Sequence, residues 1–181
     1  GLKVFLQAGF MPSGVPDLPP AYAEKSLVAV REGQAVPAQG QLMSEHEGIA
    51  YYIKTNPHKL DLLSVKAVKH YMHQAYDVVW QRFKEEFGET IVSIWVDEPY
   101  FSPPGLPWND QFSKRFQDMW GYRIEAHIPS LFERTGDYRK VKYHYWRTVL
   151  AMLKEAYFQQ VSAWCKAHKL KFSGHLMGED M

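Results

Sequence analysis

Three short apolar runs, Lys3 to Ala8 (KVFLQA), Ile91 to Val96 (IVSIWV) and Leu170 to Leu176 (LKFSGHL), alternate with segments of helical periodicity. This order constrains the fold more than any other feature. IVSIWV is apolar on both faces except at Ser93, which suits a parallel strand covered on both sides. Parallel neighbours need long crossovers, and helices are the usual ones. Ser64 is placed to cap a helix in which Val65, Val68, Tyr71, Met72, Ala75, Tyr76, Val79, Phe83 and Phe87 recur every three or four residues, until Gly88 ends it. A second helix is predicted from Asn109 to Trp120, stopped by Gly121, and a shorter one over Ile128 to Arg134. A long one runs from Asp137 to about His168. Gln41 to Met43 and Ile49 to Thr55 read as strands of a hairpin across Glu45-His46-Glu47-Gly48. Ala21 to Ala29 reads as a short helix running into a strand, and the Pro99 to Pro107 stretch as a rigid loop.

Strand, helix, strand, helix, strand argues for parallel βαβ units. A complete (β/α)8 barrel needs about 250 residues, and this chain has 181. The predicted fold is therefore α/β: a partial (β/α)8 (TIM-type) barrel, about half of the barrel, with an inserted β-hairpin. Residues 1–181 are expected to form a single fragment of such a domain. Gly1 leads directly into a strand-like run, and the chain stops soon after another, so a piece of a longer chain is expected. An open barrel edge would favour self-association.

The charge balance excludes several roles. Lys+Arg 21 against Asp+Glu 20 leaves no basic excess to neutralise phosphates, so nucleic acid is not an expected partner. No apolar run approaches the roughly 18–20 residues of a membrane-spanning helix, so no membrane partner is expected. The lone Cys165 can form no internal disulfide, and beside Trp164 in a helix it reads as a buried, inert thiol. Six Trp, eleven Tyr and ten Phe form an aromatic-rich core or line a cleft where rings stack on sugars, and composition does not choose.

Barrel enzymes place their chemistry just past the strand ends. After IVSIWV come Asp97, Glu98 and Pro99; after LKFSGHL come Gly178, Glu179 and Asp180, with His175 inside the strand. Two carboxylates at one mouth are what glycoside hydrolysis requires. A helix cap or solvated turn is the plain alternative for both. His175 could bond a sugar hydroxyl or orient an acid, or be a core histidine, and Gly174 beside it would let backbones approach closely. Trp108 and Tyr100, on the Pro-rich loop, are candidate sugar platforms, whereas Trp95 inside its strand reads as core. His70 and His73 have no third ligand near them in sequence, so no metal site is assigned. Gly-x-Ser-x-Gly, P-loop and dinucleotide fingerprints are absent.

The motifs carry more as an ordered set. Phe10-Met11-Pro12-Ser13-Gly14, Trp95-Val96-Asp97-Glu98-Pro99, Leu106-Pro107-Trp108 and Trp120-Gly121-Tyr122 come first. Pro129-Ser130-Leu131-Phe132, Tyr138-Arg139, Trp164-Cys165 and Gly174-His175-Leu176 with Glu179 follow. This order resembles the barrel domain of glycoside hydrolase family 106, the α-L-rhamnosidase type, over nearly the whole chain. The resemblance implies a bacterial periplasmic or secreted enzyme that cleaves a terminal α-L-rhamnoside-like bond in plant or microbial polysaccharide by inversion. It also implies calcium at the sugar site. By matching position, Glu98 and Glu179 are the catalytic carboxylates, with the assignment of acid and base open. Asp97, His175, Trp108, Tyr100 and Ser13 are the residues expected to bind substrate. Gln7-Ala8-Gly9 departs from the pattern, since relatives often carry an acid before the Pro-Ser-Gly loop. That departure favours the rival expectation of a carbohydrate-binding relative with impaired chemistry. A barrel enzyme for phosphorylated or carbonyl substrates is a further rival, but no lysine base or phosphate loop is evident near a strand end.

Overall fold

The computed structural model describes residues 1–7, 18–97 and 99–175. The strands are β1 (Val4–Gln7), β2 (Ala23–Arg31), β3 (Gln41–His46), β4 (Ile49–Leu60), β5 (Ile91–Asp97), β6 (Leu106–Trp108) and β7 (Lys171–His175). The α-helices are α1 (Val65–Met72), α2 (Val78–Phe83), α3 (Phe112–Trp120), α4 (Ile128–Phe132), α5 (Tyr138–Leu153) and α6 (Gln159–Ala167). One π-helical turn, His73–Asp77, joins α1 to α2, and another, Lys154–Phe158, joins α5 to α6. The chain divides into two compact units: Gly1–Ala23, Pro57–Phe101 and Leu153–Met181 form the first, Glu24–Asn56 and Ser102–Met152 the second.

The first unit is built on a parallel sheet of order β1-β5-β7. β5 is central because its apolar run can be covered on both faces. Ile94 and Val96 from β5 join Val68, Tyr71, Ala156, Val161 and Cys165 from the helical layer in one core, with Leu6 and Phe172 of the flanking strands packed against it. Fully burying one such side chain contributes ~1.5–3 kcal/mol. α1 starts where the sequence predicts, because the Ser64 side chain accepts a hydrogen bond from the Ala67 amide at 3.2 Å. The two helical arms are tied together at Asp77. The Trp164 indole donates to its Oδ1 at 2.8 Å, and His73 contacts its other carboxylate oxygen. Burial pushes the Cys165 thiol up to about 11, consistent with an inert core cysteine.

The second unit holds a sheet of order β3-β4-β2-β6, with β3 antiparallel to β4 and β2 antiparallel to β6. Glu47 and Gly48 both have positive φ (47° and 75°) in the two-residue hairpin loop. That turn matches the twist of its strands, and glycine accepts such a φ without strain. Tyr145 on α5 is buried and its hydroxyl donates to the Pro107 carbonyl at 2.5 Å, fixing the short edge strand β6. Among the described residues, no helix is long and apolar enough to cross a membrane.

The barrel expectation is corrected by this topology. Only β1, β5 and β7 are parallel; the remaining strands of the described residues form a second, antiparallel sheet rather than barrel strands with one inserted hairpin. The chain is a mixed α/β fold and not a partial (β/α)8 barrel. The reason lies in segments whose composition conceals strands. β6 contains Pro107, tolerated because it lies on a sheet edge, and it pairs Leu106 with Leu27 and Trp108 with Lys25. β4 runs on through Asn56-Pro57-His58, which reads as a breaker.

Two outcomes follow. A Cβ on Gly174 (φ 149°) would fall on the Val96 carbonyl, far inside contact distance. Gly174→Ala is therefore expected to destabilise the chain by about 2–4 kcal/mol in urea denaturation. Burial alone would raise the Asp77 carboxyl, but the Trp164 and His73 contacts outweigh it and hold the group below its usual range. A depressed folded pKa gives stability present above the unfolded value of about 3.9 and lost as pH falls through the folded one. Thermal melts should show the advantage of wild type over Asp77→Asn constant from neutrality to mildly acid pH and shrinking below about pH 4.

Candidate functional site at the carboxyl end of the parallel sheet

In open parallel sheets, ligands bind outside the carboxyl ends of the strands. Here those ends belong to Gln7, Asp97 and His175. The register is Gln7 opposite Trp95 on one side of β5, with Trp95 opposite Ser173 and Asp97 opposite His175 on the other. Gly174 makes this close approach possible, as its lack of a side chain suggests in the sequence.

Side chains alternate along the strands, so one sheet face meets the helices and the other carries Phe5, Ser93, Trp95 and Ser173. On that second face, Ser93 Oγ lies 3.1 Å from Ser173 Oγ and donates to the Lys171 carbonyl at 3.1 Å. Trp95 is 39% exposed, and its ring lies 5.8 Å from that of His175, tilted by 57°. An exposed indole beside an imidazole, at a strand end, offers a flat apolar surface and a polar edge together.

The expected site residues fare differently. Asp97 and His175 are brought together as the last residues of neighbouring strands. Ser13, Glu98 and Glu179 lie outside the described residues. Trp108 is corrected: at 5% exposure it is a core residue of the second unit, packed 4.6 Å from the Phe112 ring, and presents no platform. Trp95, which reads as core, is the exposed ring instead. Tyr100 sits on the loop after β5, but the Lys59 ammonium lies 3.5 Å from its ring centroid and occupies one face. Lys59 is the residue that sequence reasoning missed. It is 5% exposed, near the end of β4, and nothing in Pro57-His58-Lys59 distinguishes it from a surface lysine.

Among the described residues, no three His, Cys, Asp or Glu side chains gather as a metal site would need. The His70 ring packs on Tyr22, and His73 is turned to Asp77. Comparison with known proteins gives no match, either to a protein-family model or to a curated protein.

The exchange of roles between the two tryptophans is measurable. Trp108→Ala should cost about 3–5 kcal/mol in chemical denaturation, and Trp95→Ala less than about 1 kcal/mol.

Proposed function

We propose that the chain is a carbohydrate-active hydrolase that works at the carboxyl end of the parallel sheet. Glu98 and Glu179 act as the paired carboxylates on a terminal α-L-rhamnoside-like bond. The observation that carries this reading is the parallel pairing of β5 with β7, with Asp97 opposite His175. Glu98 follows Asp97 directly and Glu179 follows His175 by four residues, so both segments leave from the same edge of the sheet.

In the proposed reaction one carboxylic acid gives its proton to the glycosidic oxygen as the bond to the anomeric carbon breaks. The other carboxylate takes a proton from water, whose oxygen bonds to that carbon from the opposite face. Trp95 supplies the stacking surface for the ring. His175 bonds a sugar hydroxyl, and Asp97 supports the two acids. Calcium enters this reading only through the family resemblance; among the described residues no three His, Cys, Asp or Glu side chains gather to hold it. A carbohydrate-binding role without hydrolysis is the second reading. It is favoured by Gln7, an amide at the end of β1 where the resemblance leads one to expect an acid.

A screen of the protein against aryl glycosides, with and without a calcium chelator, tests the proposal. Release of the aryl group from an α-L-rhamnoside is expected, and Glu98→Gln and Glu179→Gln should each lower kcat by about 10²–10⁴-fold without lowering Tm. Turnover that survives both substitutions would refute the assignment. Sugar binding without turnover would select the second reading.

A further inference from the structure

Helix α5 of the second unit carries large apolar side chains on two faces. Its inner face, with Val141, Tyr145, Thr148, Val149 and Met152, is buried and accounts for its place in the fold. Tyr143, Trp146 and Leu150 recur at helical spacing on the outer face, where they are 60%, 49% and 53% exposed. Trp120, at the end of α3, extends this patch, its ring centroid 6.5 Å from that of Tyr143. The Trp120 indole donates to Thr148 Oγ1 at 3.0 Å and its ring stacks on His144 at 3.8 Å, so this part of the surface is preordered. A contiguous apolar patch on a surface helix marks a place where another surface is met.

The charge around the patch is of one sign. The 16 residues of α5 include Arg139, Lys140, Lys142 and Arg147 and no Asp or Glu, although the whole chain has a formal net charge of only +1. Helical periodicity sets Arg139 in line with Tyr143, Trp146 and Leu150, with Lys142 on one flank of the stripe and Lys140 and Arg147 on the other. Among the described residues none of these four cations is in an ion pair. Asp137, the nearest acid in sequence, stands one turn before Val141, on the side of the helix away from the stripe.

The occupant must therefore be anionic and apolar together. A second copy presenting the same face would set like charges against each other. A nucleic acid or an anionic glycan could use the rings, but Leu150, in the middle of the stripe, has no flat face to stack and gains nothing against a polar polymer. The boundary between headgroups and acyl chains of an anionic bilayer meets every requirement. It offers apolar depth for Leu150, the mixed layer that tryptophan and tyrosine favour, and phosphates for the flanking cations. We infer that the outer face of α5 docks on an anionic phospholipid surface. The expectation of no membrane partner rested on the lack of a spanning run, and a helix lying in the interface needs none. The inference does not rest on hydrolysis at the parallel sheet and survives the failure of that reading.

Co-sedimentation of the protein with vesicles tests it, using phosphatidylcholine alone and phosphatidylcholine with about one-third phosphatidylglycerol. Binding is expected to the anionic vesicles only, and to fall at least about tenfold in about 1 M salt, where the screening length is about 3 Å. Lys142→Gln and Arg147→Gln should each weaken it about fivefold, and Trp146→Ala with Leu150→Ala about tenfold or more, all with the wild-type Tm. The inference is overturned if the anionic vesicles are not bound, which would give the face to an acidic protein partner, or if neutral vesicles bind equally well. It is also overturned if oligothymidylate binds and the vesicles do not, if the charge variants bind as wild type does, or if the protein forms a dimer that Trp146→Ala dissolves.

Discussion

The parallel contact between β5 and β7 is the interaction on which the first unit depends. Five consecutive pairs, from Ser93 with Lys171 to Asp97 with His175, hold the strands in register. Gly174 lets the two backbones close against each other at Val96. Loss of this contact would separate Ile94 and Val96 from Phe172 and expose the core they share. It would also separate the two chain segments whose acids are proposed to work together. Packing in this unit, and the chemistry proposed for it, thus rest on one pairing.

The long helical arms serve that pairing. A crossover between parallel neighbours must carry the chain back along the sheet, and within the first unit the stretch from Leu153 through α6 leads into β7. The π-turns at His73–Asp77 and Lys154–Phe158 place Tyr76, Ala156 and Tyr157 in the core. Asp77 then links the arms through Trp164 and His73. A single side chain of depressed pKa therefore couples the helical layer to pH.

Much of the first unit is legible in the sequence, and most of the second sheet is not. Ser64, Gly121 and the IVSIWV run announce their structures because each acts locally: a capping oxygen, a left-handed helix stop, and a segment too apolar for one covered face. The antiparallel sheet depends on partners far apart in the chain. Leu106-Pro107-Trp108 has a strand's role only beside Leu27 to Lys25. The hairpin is the exception, because Glu47-Gly48 marks its own turn. In the candidate site, the positions of Asp97 and His175 follow from strand ends, but the exposure of Trp95 and the burial of Trp108 do not. Periodicity says that two residues share a face and is silent on what covers it. Lys59 carries no local signal, since its burial comes from neighbours distant in sequence.

In the proposed reaction, the carboxyl end of one sheet brings two carboxylates to one substrate. A crystal structure of the protein measures it directly, through the separation of the Glu98 and Glu179 carboxyl groups. Both are expected at the carboxyl end of β5 and β7, roughly 6.5–9.5 Å apart as inversion requires. Carboxyl groups on opposite ends of the sheet, or too far apart to span one glycosidic bond and a water, would contradict it.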